Sequence, residues 1–510
     1  MTRKSRREFL RQAGLAGAGL ALAGAGDFSC IQKKRPPNIV FILADDLGYN
    51  EVGAYGQKLI RTHNIDRLAR EGMKFTQHYA GSPVCAPSRC TLLTGKHTGH
   101  AYIRANDEMP ERGDVWHDPS LEGQRPLPEG LPTVASYLKK AGYATACIGK
   151  WGLGGPDSPG HPNEHGFDYF YGYLCQRQAH NHYPDHLWRN HEKVILEGNP
   201  YFFPHQRFPK DKDPNDPKNY EIYRGKQYAP DLMAQEALRF VRENRDRPFF
   251  LYFATTLPHL ALQVPEDALK AYEGVFPDTP YLGDHGYLPN RTPRAAYAAM
   301  ISRMDQHVGK IIGLIDRLGI AENTLVIFTS DNGTTHVPCV DFRFFNSVDS
   351  LRGLKGSLYE GGIRVPMIAR WSGHIAPGTI STFPSAFWDF LPTFCQAADV
   401  SIPGGTDGVS LLPVFFQQGK PEREFLYWEF RGYGGQQAVR LGNWKGIRTG
   451  LRKKGKDTRI QLYNLQEDLS ETQNVASEHP EIVGQIAQIM RKQHSKSRYF
   501  PFPEIYTRPM

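Results

Sequence analysis

Four continuous apolar runs, each ending abruptly in polar residues, set the frame of this chain: NIVFILADD at 38–46, YATACIGK at 143–150, FFLYFATTLPH at 249–259 and TLVIFTSDN at 324–332. Their apolar residues follow one another instead of alternating with polar ones, the pattern of strands buried on both faces, as in a parallel sheet. Helical periodicity fills the intervals. Segments 64–71 and 132–141 are short helices closed by Gly72 and Gly142, and 231–244 is a third. The clearest is 293–318, where Tyr297, Met300, Ile301, Met304, Val308, Ile311, Ile312, Ile315 and Leu318 share one face, with Thr292 as the cap and Gly319 as the stop. Strand and helix in alternation predict a mostly parallel sheet covered by helices on both sides.

After residue 423 the texture changes. Short runs at 424–430, 436–441, 443–448 and 459–464, separated by glycines and basic turns, read as an antiparallel sheet. A last helix follows, with Ile482, Ile486 and Ile489 at helical spacing. The expected fold class is therefore α/β: a large, mostly parallel central sheet flanked by helices, then a smaller C-terminal antiparallel sheet plus helix. The expected divisions are an export signal and linker at 1–36, a main domain at 37–423 and the antiparallel subdomain at 424–510. There are no internal repeats. Residues 198–228, rich in proline, lysine, aspartate and tyrosine and without periodicity, read as a surface insertion that would build a pocket rim with 102–130 and 272–292.

Composition changes this picture little. With 50 glycines and 38 prolines in 510 residues, the chain fits a loop-rich globular enzyme and neither a disordered nor a fibrous protein. The formal net charge is +8, but residues 1–36 carry eight basic side chains against two acidic ones, so about +2 remains for the rest. No nucleic-acid partner is implied. Paired arginines at 6 and 7, followed by the small apolar run 13–25, resemble a twin-arginine export signal, with a plain secretory signal as the alternative. Cys30 is a possible lipidated residue behind a poor lipobox, and no stretch is long enough for a transmembrane span. Seven cysteines without regular spacing make no disulfide framework; five of them are expected in the core.

The chemistry gathers where the strands end. Ligand sites of parallel sheets lie beyond the carboxyl ends of the strands, and there stand Asp45 and Asp46 after one run and Asp331 and Asn332 after another. One Asp-Asp after a strand is ordinarily a turn or a cap. Two such tips on neighbouring strands would bring four oxygen-bearing side chains to one rim, a site for Ca²⁺ or Mg²⁺ and against zinc. The second candidate is SPVCAPSRCTLLTG at 82–95. Pro87 suits a first helical turn, the helix runs through 90–93, and Cys85 is expected just ahead of its N-terminus, where backbone N–H groups and Arg89 favour an anion. Three residues separate Cys85 from Arg89, where a cysteine-phosphatase loop needs five, and no second Cys or His pair completes a zinc site.

CAPSR followed by TLLTG resembles the signature of the formylglycine-dependent (type I) sulfatases, members of the alkaline-phosphatase-like superfamily. The opening Asp-Asp, the closing Asp-Asn, the strings IGKWGLG, PFFLYFATTLPH and LRGLKGSLYEGGIRVP, and the tail LYNLQEDLSETQNVA extend the likeness over roughly residues 37–490. The resemblance implies that Cys85 is oxidised to formylglycine by a formylglycine-generating or maturase enzyme, and that its hydrate is the nucleophile. It implies that Asp45, Asp46, Asp331, Asn332 and the modified Cys85 hold Ca²⁺, with Mg²⁺ as the alternative. Lys150 and Lys355 would hold sulfate oxygens, His259 would donate a proton to the leaving alcohol or to the sulfate, and Arg89 would steady the hydrate. One position departs: the family commonly has histidine where this chain has Gly152, and His180 and His182 are the candidates for a substrate-contact role.

The resulting expectation is an exported, periplasmic or extracellular hydrolase of sulfate esters on a carbohydrate. The alternatives are a phosphatase or phosphodiesterase of the same superfamily, which would need a serine or threonine nucleophile and a histidine-rich two-metal site, and a secreted glycan-binding protein in which Cys85 is never converted.

Overall fold

A computed structural model describes residues 35–107, 118 and 121–510 of the chain. The expected export signal, Cys30 and part of the 102–130 rim lie outside the described residues. Pro36–Met510 form one unit.

A ten-stranded sheet forms its centre, in the order Thr379–Ser381, Met73–Phe75, Met367–Arg370, Thr324–Ser330, Asn38–Ala44, Phe249–Ala254, Ala144–Lys150, Tyr169–Tyr173, His186–Arg189, Glu192–Ile195. The four runs read from the sequence are the adjacent middle strands, all parallel. The outer strands were not legible, being three to five residues long, and they bring the antiparallel pairings at both sides.

Both faces are covered, which explains the unbroken apolar runs. Val40, Ile42 and Ala44 pack with the helices His63–Arg70, Ala229–Glu243 and Pro293–Arg317. Ile39, Phe41 and Leu43 pack with Cys85–Thr94, Val134–Lys140 and Phe390–Ala397, with the Phe41 ring edge-on to Phe390 at 4.7 Å. Each large side chain so buried contributes roughly 1.5–3 kcal/mol. The long helix starts at Pro293, but the Thr292 side chain does not cap it. Asp278 does, accepting from the backbone N–H groups of Arg294 and Ala295. A carboxylate reaching in from a preceding loop satisfies the same orphan donors, and local sequence cannot reveal it.

The C-terminal sheet is antiparallel, in chain order Leu426–Phe430, Gln436–Leu441, Trp444–Thr449, Gln461–Asn464. One face packs on the helix Pro480–Gln493, whose buried residues are Ile486, Ala487 and Met490. Ile482 and Ile489 are only partly buried, so the apolar stripe is rotated from the expected one. The other face, with Trp428, Ala438 and Ile447, meets Tyr79, Val84 and Ile363 beside the Cys85 helix.

A buried ion cluster crosses this junction: Lys445 Nζ lies 2.8 Å from Glu360 and 2.9 Å from Glu471, and Tyr79 OH donates to Glu360 at 2.7 Å. Removing the cation would strand two carboxylates away from water. Lys445→Met is therefore expected to cost roughly 3–5 kcal/mol in urea denaturation; a loss under about 1 kcal/mol would mean that the arginines nearby suffice. All five cysteines expected in the core are free thiols and buried. Among the described residues no helix is long and apolar enough to cross a membrane.

Candidate active site

Strand register builds the site. Ala44 pairs with Ser330, so the next residues of the two parallel strands, Asp45 with Asp331 and Asp46 with Asn332, emerge side by side. Asp46 adopts a left-handed backbone (φ 63°), which aspartate tolerates. Its N–H donates to Asp331 Oδ1 at 3.1 Å, and Asn332 Nδ2 donates to Asp46 Oδ1 at 2.7 Å. Two tips separated by almost 300 positions thus share one rim.

The helix Cys85–Thr94 points its N-terminus there. Cys85 is its first residue, with Val84 as the N-cap, so the thiol sits inside the first turn and not ahead of it. Gly95, in the left-handed region at φ 66°, ends the helix. Every residue from Cys85 to Leu93 is buried. Cys85 Sγ lies 3.5 Å from Asp45 Oδ1 and 3.9 Å from Asp46 Oδ1. Arg89, one turn on, grips Asp331 Oδ2 through Nε at 3.1 Å and Nη2 at 2.8 Å, and donates to the Lys150 carbonyl at 2.5 Å.

Two lysines complete the ring. Lys150 Nζ lies 2.7 Å from Asp45 Oδ2, and Lys355 Nζ lies 2.6 Å from Asp46 Oδ2, 3.7 Å from Cys85 Sγ and 3.3 Å from His259 Nε2. Three carboxylates face three cations, so the formal charges cancel. Burial alone would raise the Asp45 and Asp46 carboxyls, yet their lysines hold both below the ordinary range. Asp331 goes the other way: burial and the neighbouring Asp45 push it up in spite of Arg89. Burial likewise pushes the Cys85 thiol up to about 12, which keeps it protonated and unreactive.

The residues fit a divalent cation. Asn332 Oδ1 is buried without a hydrogen-bond partner, while Nδ2 of the same amide donates to Asp46 Oδ1. Asp45, Asp46, Cys85 and His259 bring one possible ligand atom each within 4.8 Å of one another. An unpaired buried carbonyl oxygen and a carboxylate disfavoured by burial both gain from a hard cation bound by oxygen.

His259 is held by a proton count. Its Nδ1 lies 2.6 Å from the Leu260 carbonyl, which can only accept, so Nδ1 carries the hydrogen and Nε2 is an acceptor facing Lys355. Burial pushes this imidazole down to about 3. His182 stands behind it: Nε2 donates to the His259 carbonyl at 2.9 Å, and Nδ1 accepts from Thr256 Oγ1 at 3.1 Å. Fully buried, His182 is a brace for the His259 loop and does not face the cleft. His180 lies on the open side, its ring stacked on His259 with centroids 4.9 Å apart, and its Nδ1 is 3.1 Å from His205 Nε2. At Gly152 (φ 74°) an added Cβ would fall 3.0 Å from Gln176 Oε1, so the Gln176 amide occupies the space a longer residue would enter.

Some contributors were not legible. His205, from the insertion, and Tyr287 form a wall with His180, their rings 4.4 Å apart; the windows 198–228 and 272–292 pointed to the regions, not to the residues. Asn106 Oδ1 accepts from the Ala86 N–H at the helix start. Glu51, buried, accepts from Gly48 N–H, Tyr297 OH and Thr334 Oγ1, which ties the loop after Asp46 to the long helix and to the loop carrying Lys355.

Comparison with known proteins agrees with this geometry. The sulfatase family model matches residues 37–400, and a model described as N-sulphoglucosamine sulphohydrolase, C-terminal, matches 354–498. N-acetylgalactosamine-6-sulfatase of Rattus norvegicus is 33% identical over 442 residues, covering 84% of this chain and 73% of the relative. Steryl-sulfatase of Mus musculus is 32% identical over 475 residues, covering 81% and 70%. Among solved structures, Ps i-CgsB in complex with k-i-k-neocarrahexaose aligns with a TM-score of 0.73 at 26% identity, covering 92% of this chain and 95% of that one. A 6S-sulfatase structure from a Bacteroides thetaiotaomicron glycosaminoglycan locus aligns at 0.68 and 26%, covering 90% and 99%. The phosphonate monoester hydrolase of Agrobacterium radiobacter, at 20% identity and 0.61, shares the fold. On these matches the chain belongs to the sulfatase family and is a sulfuric ester hydrolase.

Proposed function

We propose that this enzyme is exported, hydrolyses a sulfate ester on a carbohydrate, and uses a hydrated formylglycine made from Cys85 beside a bound Ca²⁺. The observation that carries the reading is the position of Cys85 Sγ, within 4 Å of Asp45, Asp46 and Lys355 at once. A thiol that burial keeps protonated is a poor nucleophile in that place, whereas an aldehyde hydrate offers one hydroxyl for attack and a second for releasing sulfate. Asp45, Asp46, Asp331 and Asn332 would hold the cation, whose contribution is to draw charge from a sulfate oxygen and from the hydrate.

The chain's own groups supply the rest. With the three carboxylates already matched by Arg89, Lys150 and Lys355, a divalent cation leaves the centre net positive, which suits a monoanionic ester. Lys150 and Lys355 are positioned to donate to sulfate oxygens. Lys355 is the protonated group available to the leaving alcohol: Asp46 outweighs burial and holds its ammonium well above the ordinary range, while His259 Nε2, 3.3 Å away, accepts in the resting state. Cys85 is 1% exposed, so its conversion by a maturase would precede closure of the fold. The names of relatives and of solved complexes, a galactosamine sulfatase and a neocarrahexaose complex, support a sugar substrate; steryl-sulfatase keeps a steroid ester as the second reading. The paired arginines near the N-terminus support export.

The test joins two measurements on the purified enzyme. Mass spectrometry of the peptide holding residue 85 should show the aldehyde, and release of sulfate from sulfated saccharides should exceed release of phosphate from the matching phosphate esters. An intact thiol together with no sulfate release would overturn the reading.

A further inference from the structure

A groove of about 640 Å³, within the size range of ligand sites, is lined by the 352–357 segment and by residues of the C-terminal sheet, and it shares Lys355 with the catalytic centre. Lys355 belongs to both: it lines the groove, and its Nζ lies 3.7 Å from Cys85 Sγ. Of the described charged residues lining the groove, Arg352, Lys355, Lys453 and Lys456 are basic and Asp457 alone is acidic. Asp457 is already bridged to Arg459 at 2.7 Å, so its charge is largely offset.

The far wall is the glycine-rich hairpin between the strands Trp444–Thr449 and Gln461–Asn464. Lys453 and Lys456 are exposed on it, whereas their neighbour Arg452 turns to Glu504. Arg352 is fixed in place: its guanidinium lies 3.9 Å over the Tyr359 ring and donates to the Glu471 carbonyl at 2.7 Å. Tyr433, 58% exposed, sits so close to the Gly356 backbone that a Cβ there would fall 2.8 Å from the ring, and His336 meets the ring edge at 5.9 Å. An exposed aromatic face packed against backbone, next to converging cations, is what a sugar ring bearing acidic groups requires. A steroid would need an aliphatic slot, and among the described residues lining this groove Leu354 is the one aliphatic side chain.

We infer that this groove is a subsite for a second acidic group on the same substrate, so that the enzyme acts on an extended polyanionic saccharide and not on a small or steroidal sulfate. The inference rests on the sulfate-ester reading of the catalytic centre and adds the substrate's length and charge. Lys453 and Lys456 attract the distal acidic group, Tyr433 carries the intervening sugar, and Lys355 marks where the scissile ester begins.

The decisive comparison sets the native enzyme against K453A/K456A, two exposed substitutions outside the core. A sulfated galactan hexasaccharide, the same hexasaccharide after desulfation, and an unsulfated uronate hexamer are titrated by calorimetry, and hydrolysis of the first is compared with that of a small aryl sulfate. Loss of two exposed ion pairs at about 0.7 kcal/mol each predicts roughly tenfold weaker binding of the sulfated hexasaccharide. The ratio of kcat/KM for hexasaccharide over aryl sulfate should fall about as much, through KM, and the difference from native should shrink near 1 M salt, where the screening length is about 3 Å. Binding of the uronate that also depends on the lysines would extend the subsite to carboxylates; binding of the sulfated chain alone would restrict it to sulfate. Equal binding of the sulfated hexasaccharide by native and variant enzyme overturns the inference whatever the activity. Lysine-dependent binding without hydrolysis of any sulfate ester would instead sink the catalytic reading and leave the groove standing.

Discussion

Cys85→Ala is expected to lower sulfate release by roughly 10⁴-fold or more while leaving the fold intact. Removing a nucleophile that acts as a unit with its partners costs about as much as removing the whole constellation. The surroundings of residue 85 make the result easy to interpret. Alanine is smaller than cysteine, so nothing is forced apart, and the helix keeps its start because Val84 supplies the cap position and Asn106 still accepts from the Ala86 N–H. Arg89 remains on Asp331. Binding of the sulfated hexasaccharide should therefore survive, and calorimetry on the variant separates lost chemistry from lost structure. Activity within about tenfold of native would mean that residue 85 is not the nucleophile.

The second large effect concerns the acidic rim. Asp46→Ala should lower kcat/KM by about 10³-fold, and exhaustive chelation of the native enzyme should do the same, since a Lewis-acid ion contributes several kcal/mol and each 1.36 kcal/mol is a factor of ten. The two losses should not add. Elemental analysis of the variant should show the cation gone, and readdition of Ca²⁺ should restore the chelated native enzyme but not the variant. Asp46 is the informative position because it touches Asn332, Lys355 and the Asp331 side chain at once. Losses that multiply would place the cation somewhere other than this rim.

The centre of the fold was legible because its strands are buried on both faces: unbroken apolar runs announce such strands without help from neighbours, and each polar tip marks an end. The Asp45-Asp46 and Asp331-Asn332 tips were legible for the same reason, and their pairing only needed the two strands to be adjacent. The outer strands Met73–Phe75 and Thr379–Ser381 have three residues each, too few for any periodicity to emerge. Long-range caps escaped as well: nothing near Pro293 announces that Asp278 will satisfy its helix. His182, a candidate for substrate contact from its place in a polar string, is packed under His259, where both ring nitrogens are used, and local sequence carries no sign of that burial. The Tyr433 platform and the cations around it come from separate segments, so only the assembled molecule brings them together.

The partnership of Arg89 with Asp331 joins positions 242 apart. On a ribosome adding about 5–20 residues per second, roughly 12–50 s pass between the emergence of one and of the other. During that interval the strand Thr324–Ser330 does not yet exist, and the cavity that will enclose residue 85 lacks a wall. On the proposed conversion of Cys85, translation itself would set a timer on how long a modifying enzyme could reach the thiol, and slower synthesis of the middle of the chain should then raise the converted fraction.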